Sequence, residues 1–107
     1  MKDMTIENIA ATELAHMIDR NDVLLIDVRE EHEFAAGHIA GAELFPLSRF
    51  NPFALPDPHG KKAVLYCAAG VRSANAVAAC EAAGIAITAH LSGGIHAWVA
   101  AGLPIED

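Results

Sequence analysis

Apolar residues fall into short unbroken runs separated by stretches with helical spacing. Val23-Leu24-Leu25-Ile26 is continuous and ends at Asp27-Val28, the pattern of a strand buried on both faces. Ahead of it, Thr12 reads as an N-cap, followed by Leu14, Met17 and Ile18 on one helical face, with Arg20-Asn21-Asp22 as the turn. Glu30 to Ala36 predicts a short helix stopped by Gly37. A second, shorter strand is predicted over Ala42 to Leu47, broken at Pro46. The stretch from Ser48 to Gly60 holds Pro52, Pro56 and Pro58 and reads as loop, with one helical turn at Asn51-Pro52. Ala63-Val64-Leu65-Tyr66 predicts another buried strand, leading straight into Cys67. Arg72 to Ala83 is made of helix formers and stops at Gly84. A weaker strand follows near Thr88 to Leu91. Gly93-Gly94 then turns into a last helix, Ile95 to Ala101, closed by Gly102 and Pro104.

Short apolar strands alternating with helices predict an α/β fold, a small and mostly parallel sheet with helices on both faces. In such sheets reactive groups gather beyond the carboxyl ends of the strands. Asp27 and Cys67 both stand at such ends, so topology alone places them on one edge of the molecule.

The 107 residues fit one domain, 1–107, and no internal repeat divides them. A hydrophobic content of 53% is that of a globular chain able to bury one core without disulfides or metal. Seven Lys and Arg against fourteen Asp and Glu leave a formal charge of −7, which argues against a nucleic-acid or anionic-membrane partner. If the substrate is an anion, the positive potential that binds it must be local. Met1-Lys2-Asp3-Met4-Thr5 shows no secretory pattern, and no apolar run reaches the ~18 residues of a membrane span. The expectation is a cytoplasmic, soluble protein with Cys67 and Cys80 as free thiols.

The segment that carries chemistry is Tyr66-Cys67-Ala68-Ala69-Gly70-Val71-Arg72-Ser73. A buried strand ends in a cysteine, a tight loop of small residues follows, and a helix begins. The loop is too short to stray, so its peptide N–H groups are expected to curl inward around the sulfur as an anion nest. The helix N-terminus adds its partial positive charge. Both favour thiolate over thiol, as would Arg72 with its guanidinium turned inward. Gly70 permits a backbone conformation that a Cβ would resist, while Ala68 and Ala69 keep the mouth open. Cys67 is the expected nucleophile, and Ala68 through Ser73 the expected substrate-binding loop. An arbitrary free cysteine is more often a small core hydrophobe, the reading that Cys80 receives in mid-helix among Ala76, Val77 and Ala83.

Three segments resemble the signatures of the rhodanese-like domain family, in order and spacing, across nearly the whole chain. They are Leu25-Ile26-Asp27-Val28-Arg29-Glu30 with Glu33 through Ala42, Val64 through Ser73, and Leu91 through Trp98 with Gly102-Leu103-Pro104. The resemblance implies a rhodanese-like fold and a single-domain sulfurtransferase of the thiosulfate:cyanide class, with no metal or organic cofactor. It implies that Cys67 takes the outer sulfur of a small anionic donor as a persulfide. That sulfur then passes to cyanide or to a thiol, which a partner protein can carry. Many thiosulfate-using relatives have basic residues just after the nucleophile. Ala68 and Ala69 stand there instead, so a polysulfide or a protein persulfide fits as donor equally well.

The remaining residues admit two readings each. Asp27 either orients the loop or a neighbouring arginine, or caps the helix starting at Glu30, the second being favoured. Arg29 and Glu33, four apart, predict a structural pair. His38 reads as a hinge, Trp98 as core, and Ser73 as either a helix cap or a donor to the substrate anion. None of the six histidines has a His or Cys at the short spacing of a zinc site. No apolar helix face is left over, which suggests a monomer. A cysteine phosphatase is the enzymatic rival, but its loop has one more residue between Cys and Arg than the four seen here. A sulfur-relay or binding module is the non-enzymatic rival.

Overall fold

The computed structural model describes residues 6–107, so the expectation drawn at Met1–Thr5 lies outside the described residues. The chain runs β1 (Glu7–Ile9), α1 (Ala11–Asp19), β2 (Val23–Asp27), α2 (Glu31–Ala36), β3 (Glu43–Leu44), β4 (Lys62–Tyr66), α3 (Val71–Ala82), β5 (Ala89–Leu91) and α4 (Gly94–Ala100). Two 3-10 turns, Leu47–Arg49 and Pro52–Ala54, lie between β3 and β4. All strand pairs are parallel, in the order β1-β5-β4-β2-β3. No described helix is long and apolar enough to cross a membrane.

Strand alternation divides the core in two. Leu25, Val64, Tyr66, Ala89 and Leu91 face α1 and α4, where Leu14, Met17, Ile95 and Trp98 pack. Ile26, Val28, Ala63, Leu65 and Cys67 face α3, with Ala76, Val77 and Cys80. The loop after β3 closes this second face with Phe45, Leu47, Phe50 and Leu55. Each fully buried Leu or Val contributes on the order of 1.5–3 kcal/mol. Because β4 runs through the middle of the sheet, the residue after it emerges between the layers, and that residue is Cys67.

The predicted elements appear with small shifts. Thr12 lies inside α1, whose N-cap is Ala10 without a side-chain cap, because the helix starts where β1 ends rather than at the first good capping residue. β3 shrinks to Glu43–Leu44, since Pro46 has no N–H for a ladder and the chain turns into a 3-10 coil at Leu47. The turn near Asn51-Pro52 is present, with the Asn51 side chain accepting the Phe53 N–H. β1 was not foreseen: three residues carry too little alternation to announce a strand, and β1 exists by pairing along β5. Val71 and Val99 are exposed, so some apolar helix surface is left over after all.

Candidate active site

β4 delivers Cys67, and α3 starts four residues later. Gly70 caps that helix at φ +109°, a left-handed conformation that favours glycine. The sharp turn folds the loop back over the sulfur. The Gly70 N–H lies 3.1 Å and the Ser73 N–H 3.3 Å from Cys67 Sγ, both donating to it. Ser73 Oγ is 3.5 Å away.

Two further amides are aimed inward by the last helix. Ile95 N–H donates to the Cys67 carbonyl at 2.9 Å, and His96 N–H to the Ala68 carbonyl at 3.1 Å. In a trans peptide the N–H points opposite to the C=O. Carbonyls drawn towards α4 therefore turn the Ala68 and Ala69 N–H groups to the sulfur side. This grip needs Gly94, at φ +63°: a Cβ there would stand 2.4 Å from the Ala68 oxygen and 2.5 Å from the Cys67 oxygen.

The electrostatic outcome is a contest with a clear winner. Burial pushes the Cys67 thiol up, and the Ser73 hydroxyl with the N–H groups of Ser73, Gly70 and Ala69 pulls it down further, so the pKa lies below that of an ordinary thiol. Cys80, fully buried in α3 without such donors, is pushed up. The residue Cys67 is only 1% exposed. Ala69 and Val71 stand exposed on the loop above it, with Ala68 half-buried.

The charged residues pair differently from the sequence expectation. Arg29 precedes α2, so it shares no helical turn with Glu33. Its guanidinium instead binds buried Asp27 at 2.7 Å and reaches the Gly37 carbonyl at 2.8 Å. Burial opposes this cation, yet the bonds to Asp27 hold its pKa above the ordinary value. Asp27 thus orients a neighbouring arginine, and also accepts the Arg29 N–H, while α2 is capped by Glu33 accepting the Glu30 N–H. The helix-cap reading of Asp27 fails for that reason. Arg72 does not turn inward. It makes a two-pronged pair with Glu33 at 2.7 and 2.9 Å, which holds the Glu33 carboxyl down to about 2.

Ser73 is buried beneath the sulfur rather than serving as an exposed cap, and its hydroxyl lies 2.8 Å from His90 Nδ1. His90 was missed by sequence reasoning. Its one signal was strand parity, since the residue between Ala89 and Leu91 must face α3, as Cys67 does. Gly94 was read only as part of a turn. His38 is structural: its ring stacks on Phe34 and its Nδ1 bonds the Phe34 carbonyl. Trp98 is core, donating to the Pro104 carbonyl.

The profile of the rhodanese-like domain matches residues 10–101. An uncharacterized protein of Synechocystis is 46% identical over 96 residues, covering 90% of this chain. The chain spans 54% of that relative's own length. A protein named sulfurtransferase from Allochromatium vinosum is 38% identical over 90 residues, 83% of each chain. A solved rhodanese-related protein from Thermoplasma volcanium superposes with a TM-score of 0.79 at 33% identity, over 94% of this chain and 97% of that one.

Three outcomes are expected from this geometry. Gly94→Ala should lower stability by about 2–4 kcal/mol, from backbone strain and the clash with the loop carbonyls, and should slow alkylation of Cys67. In the wild type, iodoacetamide near neutral pH should label Cys67 well before Cys80, and equal rates would contradict the cradle. Glu33 has a depressed pKa, so its pair with Arg72 stabilises the fold fully above the ordinary value of 4.5 and loses that contribution as pH falls towards about 2. Glu33→Gln should therefore be less stable than wild type by about 1 kcal/mol at pH 7, with the two converging at pH 2 in urea titrations.

Proposed function

Since this chain belongs to the rhodanese-like domain family, we propose that it transfers a sulfane sulfur through a persulfide on Cys67. The observation that carries the reading is the convergence of the Gly70 and Ser73 N–H groups on Sγ, which favours a thiolate as nucleophile. In the first step the thiolate attacks the outer sulfur of the donor. A bond forms from Sγ to that sulfur, and the donor's sulfur–sulfur bond breaks, its electron pair leaving on sulfite when thiosulfate is the donor. In the second step an acceptor thiolate or cyanide attacks the outer sulfur of the persulfide, and Cys67 leaves as thiolate. The same amides that steady the thiolate also suit the anionic persulfide between the steps.

The rim favours some donors over others. Arg72, the loop's one charged side chain, is neutralised by Glu33, and Ala69 and Val71 present apolar surface. A dianion such as thiosulfate finds no free cation there. A donor with a single charge, a monoprotonated polysulfide or a persulfide on a partner thiol, needs that cation less. This also supports the relay reading, in which the domain passes sulfur between proteins and turns over small molecules poorly. The phosphatase reading fares worse: the donors stand within 3.3 Å of the sulfur itself and leave little room for a tetrahedral phosphoryl group.

Intact mass after incubation with polysulfide should rise by one sulfur atom, reversed by reductant, with thiosulfate loading more slowly. Cys67→Ser should take up no sulfur and form thiocyanate from thiosulfate and cyanide only at background rate. Uptake undiminished in that variant would refute the persulfide, and Cys67-dependent hydrolysis of an aryl phosphate would restore the phosphatase.

A further inference from the structure

Below Cys67 runs a chain of polar groups that the sulfur-transfer steps leave unused. Cys67 Sγ is 3.5 Å from Ser73 Oγ, Ser73 Oγ is 2.8 Å from His90 Nδ1, and His90 Nε2 is 2.8 Å from Asn8 Oδ1. Cys67, Ser73 and His90 are buried, whereas Asn8 is exposed on the edge strand β1. The directions are mutually consistent. With Asn8 presenting Oδ1, Nε2 carries a proton and donates it, which leaves Nδ1 of a neutral ring as an acceptor. The Ser73 hydroxyl has one proton and its shortest contact is to that nitrogen. The Gly70 carbonyl, 3.3 Å from Ser73 Oγ, already accepts the Ala74 N–H. The oxygen of Ser73 is then free to accept from the thiol.

A thiol that is 1% exposed has little direct access to water, yet it must lose a proton before it can attack. We propose that His90 accepts the Cys67 proton through the Ser73 hydroxyl, so that the thiolate forms together with a buried imidazolium. The S–H proton moves to Ser73 Oγ as the Ser73 proton moves to His90 Nδ1, and the Nε2–H stays on Asn8 Oδ1. Net charge is unchanged, and no other reactant is required. His90 does not touch the reacting sulfur; it is a positioning residue that acts through Ser73.

The surroundings of the ring leave Cys67 as its countercharge. β4 presents Leu65 beside it, α3 presents Ser73, the loop presents Gly70 and β1 presents the neutral Asn8. Glu7, the acidic neighbour on β1, alternates to the other side and pairs with Lys62. Burial keeps the ring neutral while the sulfur is protonated. The anion formed two bonds away along the chain is what offsets that burial, so the two groups titrate as a pair. The proposal rests on the sulfur-transfer reading only for why a thiolate is needed, and the proton's location is read without turnover.

The test combines alkylation and nitrogen NMR on the full chain. In wild type at pH 7, the ¹⁵N signals of His90 should show both ring nitrogens protonated, and in Cys67→Ser the ring should be neutral. His90→Asn places an amide where Nδ1 stands but cannot take a proton. It should raise the midpoint of Cys67 labelling by iodoacetamide by about one pH unit, about tenfold slower labelling below the midpoint. Ser73→Ala should do the same, and the double variant should add nothing to the larger single effect. A neutral His90 in the wild type at pH 7, or a ring equally charged with and without Cys67, overturns the proposal whatever the variants do. If His90→Asn does not fold, the comparison of wild type with Cys67→Ser decides alone.

Discussion

The carbonyls of Cys67 and Ala68 are turned away from the sulfur and held by the first amides of α4. A peptide has two ends, and pinning its C=O on one side commits its N–H to the other. The anion cradle is thus partly the back of a contact between the Cys67 loop and a helix that starts 27 residues after Cys67. The close approach exists because Gly94 has no side chain to hold the two backbones apart. Loop shape, thiol acidity and the packing of the last helix are one constraint seen from three sides.

That constraint explains how a chain of charge −7 can stabilise an anion. The positive potential comes from backbone dipoles at short range, and side-chain cations are spent on structure. Arg29 ties the end of β2 to the end of α2 through Asp27 and Gly37. Arg72 ties the start of α3 to α2 through Glu33. Arg72 still adds a Coulomb attraction to the sulfur, but the donors that weigh most on Cys67 are the Ser73 hydroxyl and the N–H groups of Ser73, Gly70 and Ala69.

Much of this was legible in the sequence because it is local. The strand before Cys67, the tight loop, the glycine and the helix after it are adjacent residues, and their order predicts inward amides. The buried runs Val23 to Ile26 and Ala63 to Tyr66 gave a parallel sheet for the same reason. What escaped was set by contacts between distant segments. Arg29 was matched with Glu33 by helical spacing, yet Arg29 lies ahead of the helix and Asp27 is within its reach. Whether Arg72 turns towards the sulfur is left open by the sequence, because nothing in its neighbourhood says that Glu33, 39 positions earlier, sits opposite. Gly94 and His90 act on the cradle from the fourth helix and the fifth strand, and their role appears only once the sheet order sets β5 beside β4.

The sheet order also ranks events in time. Among the described strands of this domain β1 is made first and pairs with β5 alone, and β5 is made last. The amides that grip the Cys67 loop come later still, on α4. The cradle of Cys67 is therefore incomplete until α4 has been made. The amides of Gly70 and Ser73 come with the loop and α3, and the peptides of Ala68 and Ala69 are fixed last, as the closing helix docks.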